Sequence, residues 1–413
     1  MFSIDTRMAW RNIWRNPRRS LLTIMAIVFA TLLLVFMLSW QFGSYETMIN
    51  ASVKMSTGHL QVQEKGYKDK KEIRLVVSDP DEVNRILDET PGVSTYTNRA
   101  SAFSLVSSKE RTSGILVIGI DPAREAAVST IAKLIREGSF LSRSDSDQAL
   151  VGSLLSKNMR VVPGDELVLL GQGRDGSIAA TVVSVKGVFS SGQDAFDRDT
   201  VLIPLRYFQE VYSMFGAVHE VVAIGKTLDD VAEMKESVAA GIERAGKGDE
   251  LVVLDWMELM PGLIEVIKMD LVSGFIFYII LIVVVAFSIL NTFLMAIFER
   301  KKEFGVLSAI GATPGRLTKL LLLESVSMTL VGIFFGIVVG SIVTWYFQRY
   351  GIVLPGASDW LKQYGLPERM FPRLSLLSVS IGSGIVLIIT LLTALYPALA
   401  VRRLKPVKAL KAA

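Results

Sequence analysis

The sequence predicts an α-helical membrane protein with four transmembrane helices plus a large α/β extracytoplasmic domain containing a β-rich insertion. Three observations predict it. The 413 residues are 51% hydrophobic and only 20% charged, with a mean hydropathy of +0.43, too apolar for a soluble chain of this length. Charge is missing from four long windows and ordinary in density between them. Lys and Arg gather at one set of window ends, which fixes an orientation.

The windows are 20–45, 271–298, 325–348 and 374–401. Each exceeds the ~20 residues that carry a helix across ~30 Å of hydrocarbon. Arg18 and Arg19 precede the first, as in a secretory signal. It outruns an apolar signal core of ~7–15 residues and no small-residue cleavage site follows, so it reads as an uncleaved anchor.

Positive flanks are retained in the cytoplasm. Segment 1–19 holds Arg7, Arg11, Arg15, Arg18 and Arg19 against Asp5. The connector 299–324 holds Arg300, Lys301, Lys302, Arg316 and Lys319, and the tail 402–413 holds Arg402, Arg403, Lys405, Lys408 and Lys411. These three segments are assigned inside. The stretch 46–270, with 25 basic against 34 acidic residues for a net of −9, and the short loop 349–373 are assigned outside. The overall charge of +4 and pI near 9.0 therefore point to anionic lipid at the inner face, and nucleic acid is not implied.

Chemistry is narrowed by what is missing. With no Cys there are no disulfides, thiolate metal sites or lipidated N-terminal cysteine. With only His59 and His219, and no H-E-x-x-H, a catalytic zinc is not expected. No G-x-x-x-x-G-K-[ST] loop is present to cradle ATP, so energy is expected from a partner. Asp194, Asp197 and Asp199 lie close together beside Gly192, but too few oxygen ligands and no closing glutamate favour a solvated acidic turn over a calcium loop. No catalytic constellation emerges.

Within 46–270, residues 58–63 alternate as a strand. Ser78 or Asp79 caps a helix that Pro80 opens and Pro91-Gly92 stops. Residues 114–120 form a buried strand. Residues 149–200 read as a mostly β insertion: a helix at 154–159, the turn Pro163-Gly164-Asp165, and strands 166–170 and 178–188 around Arg174-Asp175-Gly176. Beyond it, residues 206–214, 220–224, 228–245 and 251–254 restore a mixed helix and strand pattern. The α/β part is thus expected over 46–148 and 201–270.

Near the inner face, Ile4, Met8, Ile13 and Trp14 share one helical face and Arg7, Arg11 and Arg15 form a row elsewhere. An amphipathic helix in the headgroup plane is expected. In the connector, a short helix through Ile310, a stop at Gly311 and the turn Pro314-Gly315 make a helical hairpin. Its apolar residues Phe304, Val306, Leu307 and Ile310 suit either a soluble partner or the lipid rim. Gly332, Gly336 and Gly340 form a G-x-x-x-G ladder that lets another helix approach. Glu324 is expected to pair with Lys319 or Arg316.

Three segments carry a resemblance: AWRNIWRNPRRSLLTI at the start, ERKKEFGVLSAIGATPGR in the connector, and LYPALAVRRLKPVKALK at the end. Together with the layout of one span, an outer domain and three spans, they resemble the permeases of the MacB/FtsX/LolCE superfamily of ABC transporters. The resemblance implies a non-catalytic subunit of the inner membrane, driven by a separate ABC ATPase dimer that uses ATP and Mg, with no cofactor bound by this chain and a second permease copy or paralogue beside it. It makes the connector a coupling helix that docks on the ATPase, through Glu299, Arg300, Lys301, Glu303, Phe304, Gly305, Leu307, Ile310 and Gly311. GHLQV, VPGDELVLL, and GVFSSGQDAFD followed by VLIPL resemble the lipoprotein-releasing LolC/LolE permeases. That implies a triacylated lipoprotein lifted from the outer leaflet and passed to a periplasmic carrier. The carrier-binding hook of those permeases is a longer insertion than Gly171 to Ser177 of this chain, so docking of the carrier here is not implied. A MacB-like exporter of amphiphiles, peptides or antibiotics and an FtsX-like regulator of a periplasmic hydrolase are the other readings.

A lipid-anchored substrate needs an apolar cradle at the outer ends of the spans. The first span offers Phe36, Met37, Trp40, Phe42, Tyr45 and Met48; the second offers Ile264, Ile267, Met269, Leu271, Phe275 and Tyr278. The same side chains also suit an aromatic belt and helix packing.

Overall fold

The computed structural model describes residues 4–15, 17–109, 111–299, 303, 306–307, 310, 312–353, 356 and 369–401. They fall into two compact units, one of 4–45, 267–353 and 369–401, the other centred on 46–266.

The first unit is helical. Four helices are long and apolar enough to cross a membrane: Pro17–Met55, Pro261–Glu299, Pro314–Tyr350 and Leu376–Val401. Three open on a proline, a residue whose missing N–H is harmless in the first turn. The first two run ten residues beyond the apolar windows, because 46–55 contains neither Pro nor Gly and 261–270 has its Pro and Gly only at its first turn. The third is capped by the Thr313 hydroxyl, which accepts from the Arg316 amide, and ends at Gly351. Ile27, Ala30, Leu34, Ile289, Phe293, Met328, Ile333, Val386 and Ala394, drawn from all four helices, meet in one apolar cluster together with Ile13.

Ile13 belongs to the short helix Ile4–Arg15, whose expected apolar face is divided between buried and exposed residues. Ala9 and Ile13 are buried, whereas Met8, Trp10 and Trp14 are exposed. A small residue one turn from a β-branched one permits closer packing than a pair including Trp14 would. Trp10 and Trp14 instead pack edge to face, centroids 6.2 Å apart, on the outward side.

The second unit contains a ten-stranded sheet. Its strands are β1 Leu60–Glu64, β2 Val93–Ser108, β3 Arg111–Ile120, β4 Ile135–Gly138, β5 Gln148–Gly152, β6 Glu166–Gln172, β7 Ile178–Phe189, β8 Thr200–Pro204, β9 Glu220–Gly225 and β10 Leu251–Asp255. The main order is β10-β1-β9-β2-β3-β8-β5-β7-β4, with β6 joined to both β2 and β7. Pairing is antiparallel except for β3 with β8 and β5 with β7.

The long β2 organises this unit. One edge pairs with β3 from Arg99 to Ser108. The other pairs first with β9, over 93–99, and then with β6, over 104–107. The path β2-β3-β8-β5-β7-β6-β2 therefore closes into a ring. Its inward residues, among them Val106, Val117, Val151, Leu167, Leu169, Val183 and Val201, are fully buried in one core. The β-rich stretch 149–200 is accordingly no separate sheet: its strands complete a ring that β2 and β3 begin. Sixteen residues make β2 long enough to serve both this ring and the α/β layer.

In that layer, the helix Pro80–Glu89 is capped by Asp79, which accepts from the Glu82 amide. It packs against Val231–Arg244 where Gly241 meets Ile86. Lys247 bridges Asp79 and Glu82 at 3.6 and 2.5 Å.

Candidate functional site

At the connector, Glu299 ends its helix, and Glu303 forms an ion pair with Arg15 of the short N-terminal helix. Leu307 packs against Ile297, Leu317 and Leu321. Ile310 is 79% exposed and Val306 is also exposed. The coupling residues Arg300, Lys301, Phe304, Gly305 and Gly311 lie outside the described residues. A cleft of about 650 Å³ opens beside Glu299, walled by Leu22, Asn291 and Met295 with Arg18 at its rim.

At the other end of the first two spans, the cradle residues divide. Tyr278 donates to Gln41 Oε1 at 2.9 Å, Gln41 Nε2 donates to the Tyr45 hydroxyl at 2.8 Å, and Tyr45 donates to Asp270 Oδ2 at 2.7 Å. This chain joins the two spans and turns two cradle aromatics into hydrogen-bonding groups. Phe36 packs edge to face on Phe347 of the third span, centroids 5.8 Å apart. Met37, Trp40, Phe42 and Ile267 are half-buried; Met269, Leu271 and Phe275 are exposed. Met48 and Ile264, both half-buried, fall in the other unit. Sequence reasoning missed Gln41 and Asp270. The available signal was a lone amide in an apolar window and the last acid before the next one.

The glycine ladder lies against the first span. A methyl group on Gly332 would come within 2.7 Å of the Ile27 side chain, and one on Gly336 within 2.5 Å of Thr31 Cβ and 2.9 Å of the Val28 carbonyl. Gly340 faces Leu32 and Val35. On another side, Ser39 of the first span donates to Ser378 of the fourth at 2.9 Å, and Gly382 fits against Val35. The first span is thus held by close backbone contacts.

In the second unit the Arg99 guanidinium meets the Glu125 carboxylate in a two-point contact of 3.0 and 2.5 Å and also donates to the Ser56 carbonyl. Ser56 follows directly on the helix Pro17–Met55, so a cation sits at its negative end. Both side chains are buried. Burial works against the Arg99 charge, and the adjacent carboxylate outweighs it, holding Arg99 above its ordinary range.

Both histidines are structural. His59 Nδ1 accepts from the Gly225 amide and His219 Nδ1 from the Ser101 amide, each at 2.9 Å, and His219 stacks on Tyr67. Burial lowers each to a pKa of about 4, so both rings are neutral at pH 7. The expected acidic turn is different in kind. Asp197 is buried and accepts from the Ser191 amide and from the hydroxyls of Ser191, Ser153 and Ser190. Its short helix, Asp194–Asp199, turns this carboxylate inward, where serines replace water. Among the described residues no group of three metal-ligating side chains converges.

A family model described as the MacB-like periplasmic core domain matches residues 20–240, and one described as the FtsX-like permease C-terminal matches 275–406. The chain belongs to the MacB/FtsX/LolCE superfamily of ABC-transporter permeases. The permease is 23% identical over 316 residues to the lipoprotein-releasing system transmembrane protein LolC of Xylella fastidiosa, covering 73% of this chain and 74% of that one. It is 22% identical over 347 residues to the macrolide export ATP-binding/permease protein MacB of Agrobacterium fabrum, covering 80% of this chain and 51% of that one. Among solved structures, the periplasmic region of MacB from Actinobacillus actinomycetemcomitans aligns at 12% identity over 50% of the permease and 91% of that chain, with a TM-score of 0.37.

Proposed function

We propose that this permease works with a separate ABC ATPase dimer to extract lipoproteins from the outer leaflet of the inner membrane for transfer towards the outer membrane. Both termini and the connector face the cytoplasm, the large domain faces the periplasm, and a second permease copy or paralogue completes the membrane part. The observation that carries the reading is the similarity to LolC, which extends over about three quarters of both chains. The exposed apolar side chains Met269, Leu271 and Phe275 at the start of the second span suit acyl chains leaving the bilayer. In the connector, exposed Val306 and Ile310 give the ATPase an apolar grip, while Leu307 ties that segment to the third span.

Photo-crosslinkers at Trp40, Met48, Ile267 and Met269, in the permease with its ATPase, should capture an acylated lipoprotein before ATP is added and release it afterwards. Replacing Leu307 by Asp should keep the capture and block the release. ATP-insensitive crosslinking to bulk phospholipid at all four positions would refute lipoprotein extraction. The similarity to MacB over 80% of this chain supports a second reading, export of another amphiphile through the same path. Capture of a non-protein amphiphile with ATP-dependent release would select it.

A further inference from the structure

The second unit holds a cavity of about 480 Å³, within the range of small-molecule sites. It lies on the outer side of the ring, against β2 and β3. Apart from Lys68, its polar lining is already satisfied. Arg99 is engaged by Glu125 and the Ser56 carbonyl, Gln61 donates to the Thr57 carbonyl, the Ser101 hydroxyl bonds the Tyr67 hydroxyl, and Lys71 pairs with Glu220 at 3.0 Å. A polar ligand would therefore find little to bond. The remaining wall is apolar: Phe103, Leu116, Ile118, Ile131, Phe196 and Leu259.

Two features specify the occupant further. Phe103 is 69% exposed at the cavity and continues into exposed Leu105 and Leu170, which face each other across β2 and β6. Such a strip of large apolar side chains is elongated, as a hydrocarbon chain is. Lys68, also in the lining, makes no ion pair among the described residues. We infer that this cavity binds the hydrocarbon chain of a single-chain anionic amphiphile, with Phe103, Leu116 and Ile118 along the chain and Lys68 at the headgroup. The site is independent of which cargo the spans move.

The test uses the full chain in phosphatidylcholine nanodiscs with two probes carrying a diazirine near the chain end, a palmitate and a palmitoyl lysophosphatidylglycerol. Uncharged monopalmitoyl glycerol bearing the same diazirine is the contrast. Label that unlabelled palmitate competes away should appear on 100–103 and 116–120 with both anionic probes. Leu116→Trp, which fills the cavity, should lower that label by roughly tenfold while the thermal unfolding midpoint of the chain stays constant, which reports an intact fold. Lys68→Glu should raise the half-saturating concentration of the anionic probes by about threefold and leave the uncharged one unchanged. Label confined to the membrane helices, or label on β2 and β3 indifferent to Leu116→Trp, would overturn the site. An equal response of charged and uncharged probes to Lys68→Glu would overturn the anionic headgroup.

Discussion

A single arginine joins three parts of the α/β domain. Arg99 lies on β2, Glu125 on the helix Pro122–Val128, and Ser56 at the end of the first long helix, so one buried guanidinium fixes the spacing of all three. Removing one member of a buried ion pair strands the other charge, whereas replacing both with apolar groups relieves the desolvation. Arg99→Met is therefore expected to lower the stability of the full chain by about 3–5 kcal/mol, and the double replacement Arg99→Met/Glu125→Leu to regain most of it. Thermal unfolding in detergent checks this, and a double variant as unstable as the single one would contradict it. The sequence does not announce this pair. Arg99 sits in a run of Ser, Thr and Asn and Glu125 twenty-six residues away, so only the fold shows that they meet. The same blindness affected Asp197, whose serine partners come from two separate segments.

Among elements, the contact between the first and third spans depends most on absent side chains. A methyl on Gly336 would intrude on both Thr31 and the Val28 carbonyl, and backbone cannot move aside cheaply. Gly336→Leu is expected to cost about 1–3 kcal/mol, while Gly384→Leu, with nothing within 4 Å, leaves the unfolding midpoint unchanged. Equal losses at the two positions would show that the ladder does not set the packing. Elements with a strong local signal were legible: the Asp79 cap, the strand around 114–120, the turn at Arg174-Asp175-Gly176 and all four spans. The longest strand, β2, was not, because its Ser- and Thr-rich alternation is weakly apolar and one of its edges is paired with distant chain. The outward turn of Trp14 was hidden for a related reason. Periodicity places side chains on a face, and only the neighbour decides which face is buried.

For the whole molecule, the sequence reading and the structure agree on the division between membrane helices and an α/β domain. Which side of the membrane each occupies rests on the placement of Lys and Arg. In a chain with no Cys, a cysteine at Ser177 should react with a membrane-impermeant thiol reagent in intact spheroplasts, and one at Ser308 only after lysis. The opposite pattern would invert the orientation. Inside the domain, the shared strand has an evolutionary corollary. Residues 149–200 cannot be exchanged between relatives as a cassette, since they carry the strands that close the ring onto β2 and β8, and moving 93–204 together would instead leave β9 with a bare edge. Recombination is then tolerated only at junctions outside β1 and β10, and hybrids in this family should inherit their α/β domain whole.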